Sequence, residues 1–254
     1  RTPSNTTMKR TEGRESADVP QDLWRKCAGC GRPVYREAAR ENEYICPRCG
    51  AYFRMTAPQR IRQIADAGIR RIVLCAGHKA DTLRESVQGV FPELDIRFSI
   101  EDCPLGTGGA LRLALELAGD DAFLVMNGDS YFDVKLPEFL GFFHDTAVPA
   151  AVCLRKMEDV TRYGRVTVAS SGRILSFEEK GAFHGAGLIN AGIYCIRREV
   201  LAEIPLDKNC SLEREVFPRL AETGQLAGYQ AEGVFIDIGT PESYRTAQQM
   251  FGRN

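Results

Sequence analysis

Ala122-Phe-Leu-Val-Met-Asn-Gly-Asp-Ser130 is the stretch that decides the fold. Ala122 to Met126 is wholly apolar and of strand length, which reads as a strand of an α/β sheet. The polar tail sits at its carboxyl end, where open α/β sheets bind their ligands. Gly128 lets the backbone turn or approach a ligand, and Asp129 projects a carboxylate from the sheet edge.

Working outward, strands and helices alternate. Upstream, Ile61, Ile64 and Ala65 share a helical face that closes at Ala67-Gly68, and Arg71 to Ala76 reads as a second buried strand. A helix is expected over 80–87, a strand over 94–100 and a helix over 109–117 that buries Leu111, Leu113, Ala114 and Leu117. Downstream, a helix over 136–143 precedes strands at 150–154, 164–168, 174–179 and 189–196. Helices follow at 198–202 and 211–222, then a strand ending at Ile236-Asp237. Thr240-Pro241-Glu242 has the signature of a helix start: N-cap, proline at the first turn and an acid near the dipole's positive end. This is an α/β fold with a mixed sheet.

Ahead of that domain stand Cys27-Ala-Gly-Cys30 and Cys46-Pro-Arg-Cys49, spaced C-x2-C-x15-C-x2-C. Four thiolates in two such knuckles suit a structural, tetrahedral Zn²⁺. Gly31 and Gly50 follow each pair, and Val34-Tyr35 and Glu43-Tyr44-Ile45 read as short strands of a zinc ribbon. Trp24 is expected to pack inside as its small core. The other five cysteines, Cys75, Cys103, Cys153, Cys195 and Cys210, are scattered singly, mostly in apolar strands, as in a reducing cytoplasm.

The chain has 254 residues and a net charge of −1, but residues 1–60 hold 12 Lys/Arg against 7 Asp/Glu, a surplus of five positive charges. A basic module could touch nucleic acid or an acidic partner; a plain solvated surface is the alternative. No apolar run approaches the ~18 residues of a membrane span. Residues 1–19 are polar and expected to be disordered. The organisation expected is a tail over 1–19, a zinc ribbon over 20–57 and a larger domain over 58–254. Because the chain begins with Arg1 and not Met, an upstream segment is allowed for.

Two further polar clusters fall at strand ends. In Asp237-Ile-Gly-Thr-Pro241 a carboxylate again follows an apolar strand. Asp129 and Asp237 together would suit one Mg²⁺, which binds few protein ligands and leaves positions for phosphate oxygens. Glu101 to Gly109 is a glycine-rich loop that can present amides to a base or phosphate, or be a plain loop. Ser211-Leu-Glu213-Arg-Glu215 is ambiguous, Ser211 reading as a helix N-cap or the run as substrate-facing. His144 reads as a helix C-terminal cation, and His78 and His184 as loop residues near a possible ligand edge.

Residues from about 60 to 250 resemble the sugar-1-phosphate nucleotidyltransferases, above all the mannose- and heptose-1-phosphate guanylyltransferases. The segments that carry the likeness are Gly68–Leu74, Pro104–Ala110, Asn127–Ser130, Tyr163–Val166, Phe177–Lys180, Ile189–Tyr194 and Phe235–Tyr244. The resemblance implies a Rossmann-like, mixed-sheet domain of the GT-A type. It implies Mg²⁺ on Asp129 and Asp237, the nucleotide base against Gly106 beside Thr107, and a sugar-phosphate pocket lined by Gly164, Glu179, Lys180 and Asn190. Lys180 would neutralise phosphate, and the substrates would be a nucleoside triphosphate, GTP favoured, and a sugar 1-phosphate.

The likeness is incomplete. The family opens with an apolar strand, a Gly-Gly-x-Gly-Thr-Arg loop around the triphosphate and a Pro-Lys pair, and nothing between Arg1 and Pro58 matches them. The domain is therefore expected to lack its first strand, leaving the neighbouring strands with a gap or paired to each other, and activity is expected to suffer. Asp22 to Ala57 instead resembles the zinc ribbon of the acetyl-CoA carboxylase carboxyltransferase β subunit. Two other functions stay open: a non-catalytic ribbon that binds nucleic acid or a carboxylase partner, and a GT-A glycosyltransferase using Asp129 and Asp133 as its metal cluster. The number of associating subunits is left open.

Overall fold

The computed structural model describes residues 24–27, 30–35, 38–39, 46–49, 57–178 and 182–237. They fall into two compact units divided between Arg54 and Met55.

In the first unit, β1 (Trp24–Lys26) and β2 (Pro33–Tyr35) form an antiparallel hairpin in which Trp24 faces Tyr35, Arg25 faces Val34 and Lys26 faces Pro33. Side chains alternate across a strand. Val34 is buried with Ala39, Cys27 and Cys46, so Trp24, Lys26, Pro33 and Tyr35 share the outer face. Trp24 is 50% exposed and meets Tyr35 edge-on at 5.5 Å. It therefore does not pack inside, because the cysteines and Val34 already fill this small core. The expected strand at Glu43-Tyr44-Ile45 lies outside the described residues, as does the helix start at Thr240.

The second unit opens with α1 (Ala57–Asp66), β3 (Arg71–Ala76), α2 (Ala80–Val87) and β4 (Asp95–Ile100). β3 and β4 pair in parallel, and Ile61, Ala65, Ile72, Val87, Phe91 and Leu94 close a core on them. Next come α3 (Gly106–Ala118), β5 (Ala122–Met126), β6 (Ser130–Phe132), α4 (Leu136–Asp145) and β7 (Ala150–Met157). Then follow β8 (Val166–Val168), β9 (Ile174–Phe177), β10 (Gly187–Arg197) and α5 (Arg198–Ala202). A π-helical turn (Leu212–Val216), α6 (Phe217–Glu222), β11 (Leu226–Ala231) and β12 (Phe235–Asp237) complete the described chain.

The central sheet runs β11-β7-β10-β8-β9, and β5 also pairs with β10. Only β7 and β11 run parallel in it; the others are antiparallel, so the sheet is mixed. The 11-residue β10 is its spine. One face packs the π turn and α6 through Tyr194, Leu212 and Phe217, and the other packs α4 through Phe132, Phe139 and Phe143. Among the described residues no helix is long and apolar enough to cross a membrane.

β3 and β5 lie in separate sheets: β3 pairs with β4 and β5 with β10. Among the described residues β3 and β5 do not pair with each other. In β5 the apolar Phe123, Leu124, Val125 and Met126 are all only partly buried. Helix α3 touches both layers, packing on β3 and β4 and sending Leu115 and Leu111 into the core that includes Phe123 and Val125.

Candidate active site

The polar residues gather where the β10–β7 ladder breaks. Its register shifts between Asn190 and Tyr194, and such irregularities re-aim side chains beside functional sites. Gly192 sits in the break with φ +75°. Its carbonyl accepts from the amide of Asn127 at 2.8 Å, which brings the end of β5 onto it. A methyl at Gly192 would stand 2.5 Å from Ser130 Oγ and 3.1 Å from Asn127 Nδ2, so only glycine fits there.

β6 pairs antiparallel with β12, placing Asp237 opposite Ser130, the residue after Asp129. Two carboxylates 108 positions apart in sequence thus lie on neighbouring backbone positions. Asp129 is exposed and Asp237 half-buried. The Asp237 charge helps push the Tyr163 phenol up, after burial. Acceptor-only oxygens at one edge, one set open to solvent, are the donor type Mg²⁺ takes. Asp133, at the far end of β6, donates its amide to Val234 O at 3.0 Å.

The glycine-rich loop turns into α3 three residues earlier than expected, at Gly106. Gly106 has φ +72° and Gly109 lies under the 208–210 backbone; a methyl would come within 2.6 Å of Cys210 O and 2.5 Å of Lys208 O respectively. The amides of Gly108 and Gly109 donate to Cys210 O, at 2.8 and 3.3 Å, and Cys210 N donates to Leu105 O at 2.8 Å. These glycines therefore serve internal packing, while Thr107 remains exposed. Thr107 Oγ1 donates to Glu213 Oε2 at 3.0 Å. Tyr194, fully buried, donates to Glu213 Oε1 at 3.1 Å and accepts from Asn190 Nδ2 at 3.0 Å. Burial, with the Glu213 charge beside it, pushes its phenol well above the ordinary range.

Thr107, Glu213, Tyr194, Asn190, Gly192 and Asn127 are thus linked through one chain of hydrogen bonds, and Asp237 stands across from Ser130, the neighbour of Asp129. Gly164, with φ +77°, is buried and donates its amide to Val160 O at 3.1 Å. Glu179 and Lys180 lie outside the described residues. Ser211 is the N-cap expected, accepting from Arg214 N at 3.3 Å, and His184 meets Thr161 Oγ1 at 3.0 Å on a loop. Tyr194 was missed as a network member: an isolated Tyr in an apolar strand carries no spacing signal. A hollow of about 460 Å³ lined by Arg62, Asp66, Arg70, Phe91 and Glu93 lies elsewhere and shares none of these residues.

In the first unit, the ligand sulfurs of Cys27, Cys30, Cys46 and Cys49 all lie within 4.8 Å of one another. The Cys27–Cys49 and Cys30–Cys46 separations are 3.6 and 3.9 Å. A tetrahedron with Zn–S of about 2.3 Å has edges of about 3.8 Å, so the four sulfurs fit that ion. Burial pushes the Cys46 thiol up, but hydrogen bonds from the Arg48 and Cys49 backbone and from the Cys27 and Cys49 thiols outweigh it and bring it to about 7.

The sequence profile of the nucleotidyl transferase family matches residues 49–253. The chain is 33% identical over 196 residues to the mannose-1-phosphate guanylyltransferase catalytic subunit beta of Danio rerio, across 75% of this chain and 54% of that protein. It is 33% identical over 180 residues to the D-glycero-alpha-D-manno-heptose 1-phosphate guanylyltransferase of Campylobacter jejuni, across 70% of this chain and 77% of that one. Among solved structures, HddC from Yersinia pseudotuberculosis complexed with GMP-PN superposes with a TM-score of 0.66 at 32% identity, covering 76% of this chain and 83% of that one. The chain thus spans about half the length of the zebrafish relative and more of the bacterial ones.

Proposed function

The chain belongs to the nucleotidyl transferase family, and from that premise we propose that it transfers a nucleotidyl group from a nucleoside triphosphate, GTP favoured, to a sugar 1-phosphate. The observation that carries this reading is the β6–β12 register, which sets Asp237 across from Ser130 and so beside Asp129. An oxygen of the sugar phosphate attacks the α-phosphorus; the bond from that phosphorus to the bridging oxygen breaks, and pyrophosphate leaves. The attacking oxygen is already anionic near pH 7, so the reaction needs positioning and charge neutralisation more than a general base. Mg²⁺, when bound, would supply charge neutralisation on phosphate oxygens. Asp129 and Asp237 are the residues that would hold it. Gly106 and Thr107 would position the nucleotide, and Gly164, Glu179, Lys180 and Asn190 the sugar phosphate.

The family's Gly-Gly-x-Gly-Thr-Arg loop has no counterpart between Arg1 and Pro58. Losing one donor of that kind typically costs ~10²–10³ in rate. The test is pyrophosphate release by zinc-loaded, monodisperse chain with Mg²⁺, across GTP, CTP, UTP, ATP and dTTP, with mannose- or heptose-1-phosphate. Release that requires both substrates supports the reading; none from folded protein sinks it.

A second reading concerns the cysteine-bearing unit, whose likeness to a carboxyltransferase ribbon suggests a contact module. What favours it is the exposed face of Trp24, Lys26, Pro33 and Tyr35, with Arg32 and Arg48 also exposed. Aromatic faces beside cations suit single-stranded nucleic acid. Trp24 is the chain's one tryptophan, so its fluorescence reports directly. Salt-sensitive quenching by an oligonucleotide is expected, and quenching by a protein partner alone would redirect the assignment.

A further inference from the structure

We propose that Glu213 is a positioning residue whose carboxylate sets the orientation of the Asn190 amide while anchoring the Thr107 loop. The inference rests on the nucleotidyl-transfer reading only for what those two sites hold. Its basis is the direction of the hydrogen bonds that converge on Glu213.

Glu213 stands on the π-helical turn, half-buried, and accepts from three hydroxyls: Thr107 Oγ1 at 3.0 Å and Ser211 Oγ at 3.1 Å on Oε2, and Tyr194 OH at 3.1 Å on Oε1. Each hydroxyl in turn accepts an N–H. Leu212 N donates to Thr107 Oγ1 at 2.9 Å, Arg214 N to Ser211 Oγ at 3.3 Å and Asn190 Nδ2 to Tyr194 OH at 3.0 Å. All the protons therefore point towards one acceptor. An ionised carboxylate can take them because it has only acceptor sites.

The direction propagates to Asn190. With its proton committed to Glu213, Tyr194 OH can only accept, as it also does beside Asn127, and Asn190 turns Nδ2 towards it. Oδ1 then faces the other way and accepts from Gly192 N at 2.9 Å. That backbone donor requires the same orientation, so the amide is held from both of its ends. Glu213 thus links a loop and a strand end through groups 106 positions apart in sequence, and π turns of this kind recur at functional sites.

Glu213→Gln keeps the shape and replaces one acceptor by a donor. Because Oε2 serves two donors and Oε1 one, the glutamine oxygen will face Thr107 and Ser211, and its NH₂ will face Tyr194. The Tyr194 proton then has no acceptor there, and the relay to Asn190 is lost. The test is amide hydrogen exchange in wild type, Glu213→Gln and Tyr194→Phe, without substrate. Exchange at Gly192 is expected to rise about tenfold in both variants, the loss of one hydrogen bond's worth of protection. Exchange at Leu212 should stay within about threefold. Unchanged Gly192 in both variants overturns the proposal, and so does an equal rise at Gly192 and Leu212, which would mark general loosening. In kinetics, Glu213→Gln should raise KM for the sugar 1-phosphate about tenfold with KM for GTP little changed. If wild type releases no pyrophosphate, the function fails while the exchange result still decides the relay.

Discussion

Asp237 lies across the β6–β12 ladder from Ser130, which puts its carboxylate-bearing backbone next to that of Asp129. Neither aspartate has a local reason to be where it is; they share an edge because β12 returns to pair with β6.

Asp129→Asn and Asp237→Asn should each lower pyrophosphate release about 10²–10³-fold, with melting temperature little changed. The pair should behave as one unit, the double variant being hardly worse than either single. Full activity in either single variant at saturating Mg²⁺ would remove that residue from the metal reading.

Chelation should release one zinc per chain and abolish the β1–β2 hairpin signals, leaving the unfolding of the second unit in place. Because the ion needs thiolates, and the Cys46 thiol titrates at about 7, affinity should fall as pH drops below that value. Zinc retained at pH 4 would argue against a four-thiolate site.

Gly192→Ala is expected to destabilise by about 1–3 kcal/mol in urea titration, through its φ of +75° and the 2.5 Å approach to Ser130 Oγ. Gly141→Ala is the control: it lies mid-helix in α4 with nothing within 4 Å of a new methyl. That change should stabilise by about 0.5–1 kcal/mol.

Cysteine reactivity should not follow exposure. Cys75 and Cys103 are both exposed. The protein around Cys75, with the Glu101 carboxylate added, pushes its thiol up to about 11, and burial pushes Cys195 up to about 12. A raised thiol pKa means the reactive thiolate is scarce below it, roughly a few in ten thousand for Cys75 at pH 7.5. Iodoacetamide with peptide mapping should therefore find Cys103 modified well before Cys75, with Cys75 catching up only as pH rises towards 11.

Local pattern alone accounts for much of this protein. The strands at 71–76 and 122–126 and the helices at 80–87 and 198–202 stand at the boundaries their sequence implies, because unbroken apolar runs and helical spacing are local properties. The cysteine spacing likewise brought four sulfurs to zinc-like distances, since the two cysteines of each pair stand only three positions apart. β6 and β11 were not legible. β6 is three residues directly after a turn, and β11 carries Gly228 at its centre, whose missing side chain leaves room for Leu154 Cδ1 2.6 Å from where a methyl would stand. Strands of that kind exist only by virtue of a partner.

The candidate site divides along the same line. Which residue types stand at strand ends was determined by the sequence itself. Which of them meet was decided by tertiary structure: the β6–β12 pairing joined Asp129 to Asp237, and the break in β10 at Gly192 turned Asn190 towards Tyr194 and Glu213. Backbone hydrogen bonding between distant segments and the direction of protons in a half-buried network have no period along the chain. They follow only from which groups the folded sheet brings within about 3 Å of each other.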